Sequence, residues 1–209
     1  MGGKGIDKSG GSGKIFIKEE MPRKVKGTTF AVDWNEVSSS TYSDKFKHLS
    51  DNPTVSAAIE TRAKWALNNR DGVETEEIYA VSLSTGREIA RITDQNIVRG
   101  VKRTKTFSEK VKAADDSGDR ILFIHNHPSN TPPSPTYINE LLDTIYASGI
   151  VVGHGGSIYF YTRPSKPVSE IDYRVKLRQF KEYAGDDILQ AEKALESLQA
   201  DFGFTIKKL

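Results

Sequence analysis

The feature that most constrains this chain is the apolar run Ile121-Leu122-Phe123-Ile124, which leads directly into His125, Asn126 and His127. A short run of this kind predicts a buried strand, and Pro128 ends it because proline has no N–H for a sheet. Alternate residues of a strand point to the same side of a sheet. His125 and His127 therefore share one face and can share one metal ion, whereas Asn126 points to the other face and is expected to be structural.

The chain has 209 residues and no cysteine, so any metal site must use His, Asp or Glu. A hydrolytic zinc site needs about three protein ligands and a bound water. The pair Ser134-Pro135 is typical of a helix start, with serine as the cap and proline as the first helical residue. Position 137 then lies in the first turn, facing the end of the strand, where a carboxylate would supply the third ligand. The residue there is Tyr137.

This arrangement resembles the JAB/MPN (JAMM) metallopeptidase superfamily, most closely its bacterial RadC-like branch. The family pattern is an upstream Glu, then His-x-His, a short loop and Ser-x-x-Asp. The resemblance matches His125 and His127 to the paired zinc ligands and Ser134 to the serine, and it covers roughly residues 50 to 165. Tyr137 stands where the family has aspartate.

The upstream glutamate is assigned from the run Glu77-Ile78-Tyr79-Ala80-Val81, which resembles the Glu-x-aromatic-x-Val strand of the branch. Glu76 is the alternative. The resemblance implies that Glu77 is the general base and that Ser134 donates a hydrogen bond to the developing oxyanion. It also implies Zn²⁺ as the cofactor.

The function implied is that of a zinc-dependent metallohydrolase-like domain, a peptidase or isopeptidase that hydrolyses an amide bond of a protein or peptide. Tyr137 weakens this expectation, because a phenol with a pKa near 10 is a poor zinc ligand and its ring takes up space beside the metal. Three explanations stay open: a natural pseudoenzyme, a site completed by Tyr137 or a second water, and a deliberately inactivated variant. The alternative function is a non-catalytic binding or assembly module in a phage, mobile-element or polymorphic-toxin context.

The predicted fold class is α/β, a mixed sheet flanked by helices of the JAB/MPN (cytidine-deaminase-like) architecture. We expect three regions: a flexible basic extension over residues 1–50, the domain over 51–165 and a helical extension over 166–209. Periodicity and turn signals predict a hairpin over 78–92, strands over 150–152 and 157–161, and helices over 55–67, 107–114 and 138–146. Two more helices are predicted after Ser169, interrupted at Gly185.

The first 30 residues carry seven basic and three acidic side chains, and Lys14-Ile15-Phe16-Ile17-Lys18 predicts an edge strand. This excess of basic residues leaves nucleic-acid binding open, although a net charge of +2 is far from that of a dedicated nucleic-acid binder. The chain shows no signal peptide and no membrane-spanning run, so a cytoplasmic location is expected, with delivery as a toxin or phage component as an alternative. His154 lies between glycines and is expected to be exposed.

Overall fold

The computed structural model describes residues 30–98, 100–145, 147–184 and 186–209, and for residues 182–184 it describes the backbone alone. Within these residues the chain forms a six-stranded mixed sheet flanked by helices, which confirms the predicted fold class at this level. The strand order is β2-β1-β3-β4-β5-β6. The strands are β1 (Ile78–Ser82), β2 (Glu88–Ile92), β3 (Ile121–His127), β4 (Ala147–Gly153), β5 (Ile158–Thr162) and β6 (Ile206–Lys208).

Seven α-helices accompany the strands in the described part of the chain, and hydrophobic side chains fill the space on both faces of the sheet. One face is covered by residues of α1, α2 and α3, and the other by residues of α4, α5 and α7. The helices are α1 (Trp34–Val37), α2 (Ser40–Asp44), α3 (Pro53–Asn69), α4 (Lys105–Asp116), α5 (Pro135–Asn139), α6 (Glu170–Ala184) and α7 (Asp187–Phe202).

The pairing of β3 and β4 is parallel, whereas every other pair in this sheet is antiparallel. Parallel neighbours require a crossover connection, and here it contains α5 and a 3-10 turn over Glu140–Asp143. The crossover therefore brings the first turn of α5 back over the end of β3, where the two histidines lie.

The N-terminal region departs from the sequence prediction. The predicted strand at residues 14–18 and most of the basic stretch lie outside the described residues. Residues 30–50 are not a flexible extension, because α1 and α2 lie within them and Val37, Tyr42 and Phe46 are buried against α3 and the sheet. The indole N–H of Trp34 donates to the carboxylate of Asp71 at 2.8 Å, which ties this region to the end of α3.

The central helix and hairpin agree closely with those predicted from the sequence. α3 begins after Asn52, whose side chain caps the helix by accepting from the amide of Thr54 at 2.9 Å. The β1–β2 hairpin turns through Gly86, whose φ of 73° favours glycine. β4 and β5 are joined across residues 154–157, one residue later than the link between the predicted strands 150–152 and 157–161.

The segment after Ser134 departs from the predicted single helix over 138–146. α5 ends at Asn139, the 3-10 turn follows, and β4 already begins at Ala147. Gly149 lies inside β4, where a Cβ atom would come within 2.2 Å of the Tyr161 ring. This glycine makes room for a buried tyrosine on the neighbouring strand.

The C-terminal region is helical as predicted, but it is not an appendage. Leu195, Leu198 and Phe202 of α7 are buried in the core on the face that carries α4 and α5. β6, which the sequence analysis did not predict, pairs with β5 and completes the sheet. None of the helices in the described part of the chain is long and apolar enough to cross a membrane.

Candidate functional site

The candidate site lies at the C-terminal end of β3, where the two histidines project from one face. β3 is antiparallel to β1, with His125 opposite Ile78. Carrying this register two residues further places Glu76 opposite His127, on the same face of the sheet. Tyr137 reaches this face from the first turn of α5. The geometry thus gathers two imidazoles, one carboxyl group and one phenol.

His125 is fully buried, and neither of its ring nitrogens has a hydrogen-bond partner among the residues that the structure describes. Its ring lies 4.9 Å from the ring of His127 and stacks on the ring of Tyr137 at 4.1 Å, measured between centroids. Burial, together with repulsion from His127 and Arg103, lowers the pKa of His125 well below the ordinary value of 6.5. The imidazole is therefore neutral at physiological pH.

His127 has a defined tautomer. Its Nδ1 lies 2.8 Å from the carbonyl oxygen of Thr131, which can only accept, so Nδ1 carries the proton. The unprotonated Nε2 is buried, forms no hydrogen bond within the described part of the chain and lies 3.9 Å from Oε1 of Glu76. Burial lowers the pKa of His127 to about 4, against the raising effect of the Thr131 carbonyl.

Glu76 and Tyr137 form the direct contact across the site, with the phenolic O–H donating to Oε2 of Glu76 in a short hydrogen bond. Both side chains are buried. Burial raises the pKa of Glu76 to about 7; the Tyr137 hydrogen bond opposes this shift, and the nearby charge of Glu140 adds to it. Burial and the Glu76 carboxyl raise the pKa of Tyr137 far above the usual 10. The phenol consequently keeps its proton.

Glu77, which the sequence analysis assigned as general base, lies on the opposite face of the sheet. Its carboxylate accepts from Asn69 at 3.1 Å and from the hydroxyl of Tyr79 at 2.9 Å, and it forms an ion pair with Arg70 at 3.0 Å. Burial raises the pKa of Glu77, and these three partners oppose the shift. The assignment is corrected: the carboxyl group beside the histidines belongs to Glu76.

Asn126 is structural, as the sequence indicates. Its side chain accepts from the amide of Glu77 at 2.8 Å and donates to the carbonyl of Thr75 at 3.1 Å, which clamps the chain just before β1. Nε2 of His154 lies 3.1 Å from the Asn126 amide, and its Nδ1 lies 2.6 Å from the carbonyl of Phe30. His154 is therefore buried and structural, which corrects the expectation that it is exposed.

Ser134 stands immediately before α5 and is half-buried. Its backbone carbonyl accepts from the amide of Ile138 at 3.2 Å, but its hydroxyl makes no hydrogen bond to the helix. The side chain is thus not used as a cap. Its predicted role as a hydrogen-bond donor to an oxyanion stays a prediction.

The sequence analysis missed the charged pair that borders the site. Arg103 binds Glu140 at 3.1 Å and lies over the ring of Phe123, with its guanidinium carbon 4.5 Å from the centroid. It belongs to the segment between β2 and α4, and Gly100 of that segment lies close to the Tyr137 hydroxyl. No sequence motif marks Arg103, because it meets Glu140 only through tertiary contact.

A zinc ion does not fit this arrangement of side chains. The unpartnered nitrogens of His125 and His127 are suitable donors, but Tyr137 offers a protonated phenol and already uses Glu76 as its acceptor. Among the residues that the structure describes, no three His, Cys, Asp or Glu side chains are grouped so that they could hold a metal ion. In the folded protein the hydrogen bond between Tyr137 and Glu76 thus ties together the two side chains that lie beside the histidines.

Comparison with protein-family models, with curated proteins and with solved structures gives no match to this chain.

Proposed function

We propose that this chain is a non-catalytic domain of JAB/MPN-like fold, which acts through protein contacts rather than by hydrolysing an amide bond. One observation carries the proposal: Tyr137 stacks on His125 and donates a hydrogen bond to Glu76. The residue in the position of the third ligand thus uses the Glu76 carboxyl group, beside the histidines, as its hydrogen-bond acceptor. The fold family named in the proposal is supported by the sequence resemblance to the JAB/MPN superfamily.

The energetics favour this closed state. Tyr137 is 8% exposed, so displacing it would return a buried aromatic residue to solvent. The Glu76 carboxyl group would lose the phenolic donor, and an unsatisfied buried polar group costs about 1–3 kcal/mol. A metal ion that displaced Tyr137 would have to offset both losses.

Zinc content tests the proposal. The purified full chain should hold substoichiometric zinc by inductively coupled plasma analysis, whereas the Tyr137→Asp variant should hold about one zinc per chain. Two matched controls define the site. Tyr137→Phe keeps the ring but removes the hydroxyl and should stay without zinc, and adding His127→Ala to Tyr137→Asp should abolish the gain.

A zinc-dependent hydrolase is the second candidate, and the buried nitrogens favour it. Both ring nitrogens of His125 and Nε2 of His127 have no hydrogen-bond partner in residues 30–209 as far as these are described, and such groups commonly face a ligand or ion. This candidate requires Tyr137 to leave its place between His125 and Glu76. About one zinc per unmodified chain, lost in His127→Ala, would overturn the non-catalytic proposal.

A further inference from the structure

Asn130 is the one residue other than glycine that has a positive φ in the described part of the chain, and it lies in the loop that follows His127. Its φ is 59°, in the left-handed region that asparagine and aspartate tolerate better than most side chains. Its backbone N–H donates to the carbonyl of His127 at 3.2 Å, which closes a turn with Pro128 as the second residue. The chain therefore changes direction directly before Thr131.

The link between β4 and β5 holds Asn130 in this conformation. The side-chain oxygen of Asn130 accepts a short hydrogen bond from the amide of Gly155. The backbone carbonyl of Asn130 accepts from the hydroxyls of Ser157 and Tyr159, each at 3.4 Å. A Cβ atom at Gly153 would lie 2.4 Å from the Asn130 side-chain oxygen, so a larger residue there would displace the asparagine. Both the backbone and the side chain of Asn130 are thus fixed by a distant segment.

The residue after Asn130 is the one that contacts the His127 ring. The carbonyl oxygen of Thr131 lies 2.8 Å from Nδ1 of His127, and the Thr131 hydroxyl lies 3.2 Å from the same nitrogen. The hydroxyl suits either tautomer, because it can donate or accept. The carbonyl can only accept, so its contact requires a proton on Nδ1. The direction of the Thr131 carbonyl therefore sets the tautomer of His127.

The other tautomer of His127 has an acceptor close at hand. Nε2 lies 3.9 Å from Oε1 of Glu76, which is too long for a hydrogen bond. A ring movement of about 1 Å would bring the two atoms within hydrogen-bond distance if Nε2 carried the proton. His127 would then present an N–H to the site in place of a lone pair. A cation or a hydrogen-bond donor needs the lone pair, so the tautomer decides which chemical class the site accepts.

We propose that Asn130 is a positioning residue that keeps His127 in the Nδ1-protonated tautomer. It acts through Thr131: the bond to Gly155 anchors its side chain, and its left-handed backbone turns the Thr131 carbonyl toward Nδ1. The Nε2 lone pair is thereby held toward Glu76, where it can meet a cation or a hydrogen-bond donor. This role of Asn130 concerns His127 alone, so it stands whether or not the chain hydrolyses an amide bond.

Nitrogen-15 NMR of the four histidine rings tests the proposal on the full chain, at about pH 8 where an imidazole is neutral. The His127 signals are assigned by their loss in His127→Ala. Asn130→Asp and Asn130→Gly are a matched pair, because both tolerate the left-handed backbone and only aspartate keeps an oxygen for the amide of Gly155. The unmodified chain and Asn130→Asp should show His127 protonated at Nδ1 alone. In Asn130→Gly the Nδ1 and Nε2 signals should shift toward each other as the two tautomers interconvert.

His154 is the internal control for folding. Its ring nitrogens contact the carbonyl of Phe30 and the side chain of Asn126, so their signals should stay unchanged in both variants. An Asn130→Gly protein whose His127 remains protonated at Nδ1 alone would overturn the proposal. Asn130→Asp keeps the anchor and the backbone, so it should fold even where glycine does not. Loss of the Nδ1 proton of His127 in that variant would overturn the proposal as well. Zinc analysis of the unmodified chain tests the proposed function separately.

Discussion

Glu76→Gln removes the buried carboxyl group of the site while keeping its shape and an oxygen that can accept from Tyr137. The folded-state pKa of Glu76 is raised to about 7 from the ordinary 4.5, chiefly by burial. Between these two values the folded protein binds a proton at Glu76 that the unfolded chain releases. The contribution of Glu76 to stability is therefore fully present below pH 4.5 and is lost as the pH rises to about 7.

The size of the effect follows from the shift. One pKa unit corresponds to about 1.36 kcal/mol, and the difference between about 7 and 4.5 is 2.5 units, which gives about 3 kcal/mol. The free energy of unfolding of Glu76→Gln, minus that of the unmodified chain, should thus increase by up to about 3 kcal/mol between pH 4.5 and pH 8. His127, whose pKa is lowered to about 4, changes stability in the opposite sense. Its own contribution is common to both proteins, and only its coupling to Glu76 across 3.9 Å differs between them.

Urea denaturation at four values between pH 4.5 and pH 8 measures this difference by linear extrapolation. Glu109→Gln, at an exposed position on α4, is the matched control and should show little change with pH. A difference for Glu76→Gln that stays within about 0.5 kcal/mol across the range would refute the reasoning, because Glu76 would then ionise alike in the folded and unfolded states.

Three further substitutions probe the surroundings of the site. Arg70→Met leaves the buried Glu77 carboxylate without its cation and should lower the free energy of unfolding by about 3 kcal/mol in urea denaturation; an unchanged value would show that the ion pair is not needed. Asn126→Ala removes the acceptor of the Glu77 amide and should accelerate hydrogen exchange at that amide, and retained protection would contradict the clamp. Gly149→Ala places a Cβ atom within 2.2 Å of the Tyr161 ring and should cost about 1–3 kcal/mol in thermal unfolding, unless the strands move apart freely.

The elements that the sequence predicts well are those with local signals. Asn52-Pro53 starts α3, and the apolar periodicity of that helix faces the sheet. The β1–β2 hairpin has strands on either side of a turn that contains Gly86. The position of Tyr137 in the first turn of α5 also follows from local signals, because Ser134-Pro135 fixes where that helix begins.

The choice between Glu76 and Glu77 could not be made in the same way. Period-two alternation identifies the inner face of a strand only when the other face is solvated. Every residue of β1 is buried, and so is every residue of β3. Two adjacent glutamates before β1 are then equivalent in sequence, although one meets the histidines and the other meets Arg70.

The sequence by itself determined the mixed α/β fold class and the histidine pair on one face of β3, because both rest on local periodicity. It also determined that a phenol stands at position 137. Only the tertiary structure decided that Glu76 is its partner, since the register between β1 and β3 sets which carboxyl group shares the face. The burial of residues 30–50 and the addition of β6 depend likewise on contacts between segments distant in the chain, which no local pattern encodes.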